Sequence, residues 1–145
     1  MTRFRPYSAT ALAVGGGVLA SLGIYFVFLR PSLLPEDLRF MGASLAQVEA
    51  TIPGLPIWLR QVFRVMGGYM LAAGVLTIHV AMTDFRKRSR YAFLAVAVAG
   101  VSSIGSMVVV NFIIGSDFRW LLLGFTLPWV LALVLYWFEK GGDHG

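Results

Sequence analysis

Arg86-Lys87-Arg88-Ser89-Arg90 separates two long apolar runs, Val65 to Thr83 before it and Tyr91 to Ile114 after it. Apolar runs of about 18 residues or more are typical of helices that cross a bilayer. Two further runs lie outward from this pair, Ala9 to Leu29 toward the N-terminus and Trp120 to Phe138 toward the C-terminus. The pattern predicts an all-α membrane protein built as a bundle of four transmembrane helices.

The composition agrees with this fold class. Hydrophobic residues make up 58% of the chain and charged residues 13%, whereas soluble domains are about one-quarter charged. Four spans use most of the 145 residues, so we expect one transmembrane domain over residues 1–145. Only residues 30–64 form a substantial loop, which leaves no room for a soluble catalytic domain.

The basic residues predict the orientation. Those at the N-terminus, between the second and third spans and at the C-terminus are Arg3, Arg5, Arg86, Lys87, Arg88, Arg90 and Lys140; those on the other side are Arg30, Arg39, Arg60, Arg64 and Arg119. The second group is diluted by Glu36, Asp37, Glu49 and Asp117. Positive residues favour the cytoplasmic side, so both termini are expected to be cytoplasmic. The same distribution explains the net charge of +5 without nucleic-acid binding.

The first apolar run follows a basic N-terminus, as a signal peptide would. Val18-Leu19-Ala20 is an acceptable cleavage site, but the run continues from Ser21 to Leu29. That length exceeds the usual apolar core of about 7 to 15 residues in a signal peptide. We therefore expect a retained first helix.

Small residues predict which faces of the spans pack together, because they let helix backbones approach closely in a membrane. The expected inward stripes are Gly16, Ala20 and Gly23 in the first span, Gly68, Ala72 and Val75 in the second, and Ala95, Ala99, Ser102 and Ser106 in the third. The serine hydroxyls can also bond back to their own helix. Pro128 in the fourth span removes a helical hydrogen bond and crowds the carbonyl of Gly124, which predicts a bend.

The long loop carries signals for two short helices. Pro35-Glu36-Asp37 is typical of a helix start, and Ser44-Leu45-Ala46-Gln47 is a capping-box pattern. We expect helices at about 36–41 and 45–51, the second one ending before Pro53. The segment is apolar enough to lie on the membrane surface outside the cytoplasm. It is either a lid or docking surface, or a connector that covers helix ends.

Polar residues near one end of the spans are the candidate ligand- or partner-binding residues. Those expected to converge below the long loop are Arg60, Arg64, Asn111, Asp117 and Arg119. Arg64 shares a helical face with Gly68, Val75 and His79, and we expect this face to point inward. Trp129 beside the Pro128 bend would line a cavity. The alternative is structural: an Arg64–Asp117 pair with the other arginines reaching the lipid headgroups.

His79 is the histidine placed within a span, and an inward imidazole can ligate haem, a pigment or a metal. No second histidine, methionine or acid accompanies it at matching depth, and the sequence contains no cysteine. We therefore expect no bound cofactor and no metal, and a hydrogen bond from His79 to a neighbouring helix instead.

The segment Leu59-Arg60-Gln61-Val62-Phe63-Arg64-Val65-Met66-Gly67-Gly68-Tyr69-Met70-Leu71-Ala72-Ala73-Gly74 opens the second span after an amphipathic loop. This layout resembles small bacterial four-helix membrane proteins of the DoxX-like type, in which an arginine, a Gly-Gly pair and a later glycine begin the second span. The resemblance directs attention to Arg64, Gly67, Gly68 and Gly74. It implies a bacterial inner membrane as the location.

Two classes of function fit these features. No acid lies deep within a span, which argues against coupled transport, and no hydrolase or phosphate-binding motif is present. The first expectation is a non-catalytic accessory or assembly subunit that docks on a larger membrane complex, or self-associates, among membrane lipids. The alternative is a binder or enzyme for a lipid, quinone or other apolar small molecule held in an outward-facing cavity.

Overall fold

The computed structural model describes residues 7–140, with the side chain of residue 140 excepted. Within that range the chain forms helices and turns, and no strand. Four helices are long and apolar enough to cross a membrane: the first long helix is Tyr7–Phe28, the second Leu55–Phe85, the third Arg90–Ile113 and the fourth Arg119–Glu139. The all-helical fold class and the four long helices are confirmed.

Shorter elements subdivide and connect the long helices. In chain order the α-helices are α1 (Tyr7–Phe28), α2 (Pro35–Met41), α3 (Leu45–Thr51), α4 (Leu55–Val80), α5 (Arg90–Gly100), α6 (Ser106–Ile113), α7 (Arg119–Phe125) and α8 (Leu127–Lys140). Two π-helical turns, Ala81–Phe85 and Val101–Gly105, continue α4 and join α5 to α6. We call the end of the bundle with α2 and α3 the loop end, and the end with residues 86–89 the basic end.

The second long helix begins at Leu55, about ten residues before the apolar run that starts at Val65. Pro56 stands in its first turn, where a missing N–H costs nothing because the first N–H groups of a helix have no helical partner. Arg60 and Arg64 interrupt the apolar run, so hydropathy alone placed them in or beside the loop. The predicted loop 30–64 is thus shorter, and both arginines lie on α4.

The first and second long helices pack closely through glycines. A Cβ atom added to Gly23 would lie 2.4 Å from the backbone nitrogen of Leu71, and one on Gly74 would lie 2.5 Å from that of Ala20. No real side chain tolerates such contacts with backbone. The predicted stripe of Gly16, Ala20 and Gly23 in the first helix therefore lies in this interface.

The predicted stripe in the second long helix lies on the wrong face. Gly68, Ala72 and Val75 are exposed, and a Cβ on Gly68 would meet nothing within 4 Å. The contact with the first helix instead uses Gly67 and Gly74, both buried. Because positions 67 and 68 are both glycine, the sequence allows two inward faces one residue apart. In the structure the face with Gly67 is the one that packs against the first helix.

The predicted stripe in the third long helix is displaced too, by one residue before the π-helical turn and by two after it. Its buried positions are Ala92, Val96, Gly100, Ile104 and Val108. From the predicted stripe, Ala95, Ser102 and Ser106 are exposed and Ala99 is half-buried. The serine hydroxyls donate to carbonyls of their own helix, as expected for such positions.

Trp129 joins the third and fourth long helices. It is 3% exposed, its indole Nε1 donates to the carbonyl of Val96 at 3.0 Å, and a Cβ on Gly100 would lie 2.4 Å from that nitrogen. The fourth long helix is interrupted at Thr126, between α7 and α8. Pro128, two residues later, has no N–H to donate to the carbonyl of Gly124. Trp129 therefore belongs to the core, and the expectation that it lines a cavity is wrong.

Glu139 fastens the basic end. Its carboxylate accepts hydrogen bonds from the Ser8 backbone nitrogen at 3.1 Å and from the Ser8 hydroxyl at 2.6 Å, and it pairs with Arg88. Arg88 adopts a left-handed backbone conformation, with φ of 63°, and donates to the carbonyl of Tyr136 at 3.1 Å. The start of the first helix, the basic turn and the end of the fourth helix are thereby tied together.

Candidate functional site

A cavity of about 680 Å³ occupies the loop end of the bundle. It lies between all four long helices and below α2, within the size range of roughly 300–1,000 Å³ that small-molecule pockets show. Its apolar lining comprises Leu19, Leu22, Tyr25, Phe26, Leu34, Phe63, Met66, Met70, Met107, Val110, Ile114, Phe118, Leu121, Leu122 and Phe125. The walls are therefore suited to an apolar molecule.

Glu36 brings a buried carboxylate to the lining of this cavity. It stands in the first turn of α2, after Pro35, and only 2% of its surface is exposed. The Ser116 hydroxyl donates to its Oε1 at 3.0 Å, and Ser116 is itself 1% exposed. No other hydrogen bond reaches this carboxylate within residues 7–140. A charge buried with so little support is costly, which makes Glu36 the most unusual polar group in the site.

Arg30 and Asp37 form an ion pair beside Glu36. Arg30 Nη2 lies 3.3 Å from Asp37 Oδ2, and their side chains are 10% and 20% exposed. The guanidinium carbon lies 3.5 Å from the ring centroid of Phe63 and 5.3 Å from that of Phe26. Burial lowers the pKa of Arg30 below its ordinary value, and Asp37 opposes that shift. Stacking and pairing together hold this cation inside the bundle.

A second, exposed pair fastens α2 to the turn between the third and fourth long helices. Arg39 Nη2 lies 2.7 Å from Asp117 Oδ1, and the two side chains are more than half exposed. The hydrogen bond to Asp117 raises the pKa of Arg39. Together with the bond between Glu36 and Ser116, this pair holds α2 across the loop end of the cavity.

The third long helix supplies weaker polar groups to the cavity. Asn111 Nδ2 donates to the carbonyl of Met107 at 2.8 Å, and Ser103 donates to the carbonyl of Ala99. Ser106 donates to its own helix in the same way. Because the serine hydroxyls are already engaged as donors, the serines offer their oxygens to a molecule in the cavity, while Asn111 offers its oxygen and its second N–H.

The structure brings one of the six predicted binding residues, Asn111, to the cavity. Arg60 is exposed, and Arg64 is exposed with Nη1 3.3 Å from Oε1 of Gln61. Asp117 pairs with Arg39 rather than Arg64. Arg119, half-buried at the start of α7, does not line the cavity, and neither does Trp129. The helical face of Arg64 was identified correctly, but that face points away from the bundle.

His79 lies on the same outward face. It is exposed, and the hydrogen bond expected from its imidazole to another helix is not formed among the described residues. Within residues 7–140, no group of three or more histidine and acidic side chains is arranged to hold a metal ion.

The charged residues that line the cavity were missed because they lie just outside the apolar runs. Arg30, Glu36 and Asp37 counted as solvated loop charges in the sequence. The signal that could have found them is the strong helix start at Pro35-Glu36-Asp37, only five residues after the arginine that ends the first span. A helix that close must lie against the end of the bundle.

Comparison with known proteins found no matching family model, no matching curated protein and no matching solved structure.

Proposed function

We propose that the four long helices cross the inner membrane of a bacterium, with both termini and the turn at residues 86–89 in the cytoplasm and α2 and α3 outside it. The length and apolar character of the helices support insertion. The basic residues at one end support this orientation. In this arrangement the cavity opens near the outer surface of the membrane.

We propose further that the protein binds an apolar small molecule in this cavity. The observation that carries the proposal is a cavity of about 680 Å³ whose lining is apolar except for one buried polar cluster under α2. A bundle needing only stability would fill such a space with side chains, because cavities in a packed core lose contact energy. An apolar body with one polar end matches the distribution of groups along the walls.

The contacts of the polar groups in the lining fit a binder better than an enzyme. The carboxylates that line the cavity are held by Ser116 and by Arg30. Ser116 donates to Glu36, but its hydroxyl also accepts from the Phe118 backbone nitrogen and both side chains are at most 2% exposed, as in a structural contact. We therefore propose binding, transfer or sensing of the molecule rather than its conversion.

The test is retention of the bound molecule during purification. Ser106→Trp adds bulk at a position that lines the cavity, while Ser102→Trp adds it at an exposed position that does not; both hydroxyls bond to their own helix. Native mass spectrometry from mild detergent should find one apolar molecule on the wild type and on Ser102→Trp, and none on Ser106→Trp. Wild-type protein that carries no molecule, or equal retention by all three, would refute the proposal.

A second candidate function is that of an accessory subunit in a larger membrane complex. The observation that favours it is the exposed face of α4 with Gly68, Ala72 and Val75, since small residues at this spacing allow a partner helix to approach. If it is correct, a fixed partner co-purifies with the wild type and is lost from Gly68→Leu. Ser102→Leu, on another exposed face, serves as the control and should retain the partner.

A further inference from the structure

We infer that the molecule held in the cavity carries a positively charged head group that donates hydrogen bonds: an alkyl amine rather than a fatty acid or a phosphate-headed lipid. The inference rests on the proposed function, because it specifies the chemistry of the molecule bound there. Three observations carry it: the balance of charge in the lining, the single hydrogen-bond partner of Glu36, and the excess of acceptors over free donors among the remaining polar groups.

The charged side chains lining the cavity are Arg30, Glu36 and Asp37, with a formal sum of one negative charge. Arg30 pairs with Asp37 at 3.3 Å and stacks on Phe63. Arg30 and Arg39 act on Glu36 only at longer range, since neither forms an ion pair with it among the described residues. The carboxylate of Glu36 therefore lacks a cation in direct contact, which a bound cation would supply and a second anion would not.

Glu36 is 2% exposed, yet within residues 7–140 its carboxylate receives one hydrogen bond, from Ser116. A carboxylate has room for about four hydrogen bonds. Buried carboxylates without a metal are normally paired or multiply hydrogen-bonded. An ammonium group supplies three donors and a full positive charge, which is the complement that this side chain lacks.

The remaining polar lining is biased toward acceptors. The hydroxyls of Ser103, Ser106 and Ser116 each donate to a protein oxygen. Asn111 Nδ2 donates one of its two hydrogens to the carbonyl of Met107, and its amide oxygen can accept. The donors left in the lining outside the charged side chains are the second N–H of Asn111 and the hydroxyl of Tyr25, fewer than the acceptor oxygens. A head group that brings hydrogen-bond donors is therefore accommodated at more positions than one that brings acceptors.

The test compares two probes of equal chain length, dodecylamine and dodecanoic acid, with the full chain in phosphatidylcholine nanodiscs. Glu36→Gln removes the charge but keeps an oxygen that can accept from Ser116. Glu49→Gln, an exposed position on α3, is the matched control, and Glu36→Asp tests whether charge alone restores the preference. Thermal stabilisation and occupancy by native mass spectrometry are measured for each.

The wild type and Glu49→Gln should bind dodecylamine about tenfold or more tightly than dodecanoic acid, and Glu36→Gln should lose that preference while Glu36→Asp keeps it. Both probes could bind in the cavity, so that Ser106→Trp blocks them, but without a preference for the amine or with a preference that does not depend on Glu36. That result would overturn this inference and leave the proposed function standing. If neither probe binds the wild type, both the inference and the proposed function fail.

Discussion

At the scale of single residues, the packing of the first and second long helices depends on glycines, which have no Cβ atom. Gly23, Gly67 and Gly74 let two helix backbones approach until a Cβ would meet backbone atoms at 2.4 to 2.7 Å. Helices in a membrane gain no hydrophobic energy from leaving lipid, so close packing has to supply the attraction between them. Adding one methyl group at any of these glycines would therefore push the two helices apart.

Gly74→Ala should destabilise the protein, because its methyl group would meet the backbone of Ala20 and the carbonyl of Gly16. We expect a loss of about 1–3 kcal/mol, the usual cost of overpacking a tight core. Gly68→Ala is the matched control, since nothing lies within 4 Å of its added methyl. Thermal unfolding in detergent measures both, and equal midpoints for the two variants would contradict the glycine interface.

Arg30 and Arg64 offer a second comparison between residues of one type. Arg30→Met leaves Asp37 without its cation in a largely buried place and removes the stacking on Phe63, so we expect a loss of about 1–3 kcal/mol. Arg64→Met alters an exposed side chain whose partner is Gln61, and its melting point should stay near that of the wild type. A lower melting point for Arg64→Met than for Arg30→Met would show that Arg64, not Arg30, stabilises the fold.

At the scale of helices and turns, α2 owes its position to its contacts with a distant part of the chain. Two bonds reach residues 116–117 from α2: Glu36 accepts from Ser116, and Arg39 pairs with Asp117. With seven residues α2 is too short to be stable alone in water. Its position over the cavity therefore depends on these two bonds and on the packing below it.

Asp117→Asn should loosen α2 without unfolding the bundle, because it removes the charge of an exposed ion pair, and exposed pairs contribute little to global stability. Hydrogen exchange of the amides in α2 should rise severalfold, while that of α1 and α4 stays unchanged. Glu49→Gln on α3 is the control and should leave α2 protected. Unchanged exchange in α2 would mean that Glu36 and the packing hold it alone.

The sequence predicted the helices better than it predicted their faces. Apolar runs located all four long helices, since length and hydropathy are local properties of the chain. The inward face of the second helix was predicted one residue off, because Gly67 and Gly68 are equally small and only contact with Gly23 distinguishes them. The face of the third helix was predicted one residue off before the π-helical turn and two after it, because that turn holds an extra residue. Arg30 was missed for a related reason: its burial depends on Phe63, which lies on another helix.

At the scale of the whole molecule, the bundle has two unlike ends. The basic end is closed by Glu139 with Ser8 and Arg88, and the core residues Phe85 and Tyr136 pack there. The loop end contains the cavity and is covered by α2. The proposed orientation places the closed end in the cytoplasm and the cavity toward the outside.

A reporter that is active only outside the cytoplasm tests this orientation. Fused after Ser89 it should be inactive, and fused after Gly54, in the turn between α3 and α4, it should be active, because basic residues hold the former on the cytoplasmic side. The pair of fusions controls for expression. Activity after Ser89 with none after Gly54 would invert the proposed topology.

The π-helical turn at Val101–Gly105 determines which faces the two halves of the third long helix present to the bundle. A π turn accommodates one more residue than an α-helix does over the same length, so the chain here contains the equivalent of an insertion. Deleting one residue, such as Ser102, should therefore restore ordinary helix and leave the residues on either side on the faces that they now occupy. If residues 101–105 were ordinary α-helix with no residue removed, everything after them would be rotated by about 100° relative to α5. Asn111 and Ser106 would then turn away from the cavity while Gly100 still met Trp129. The π turn thus keeps both halves of this helix facing the bundle, the first for packing and the second for the pocket.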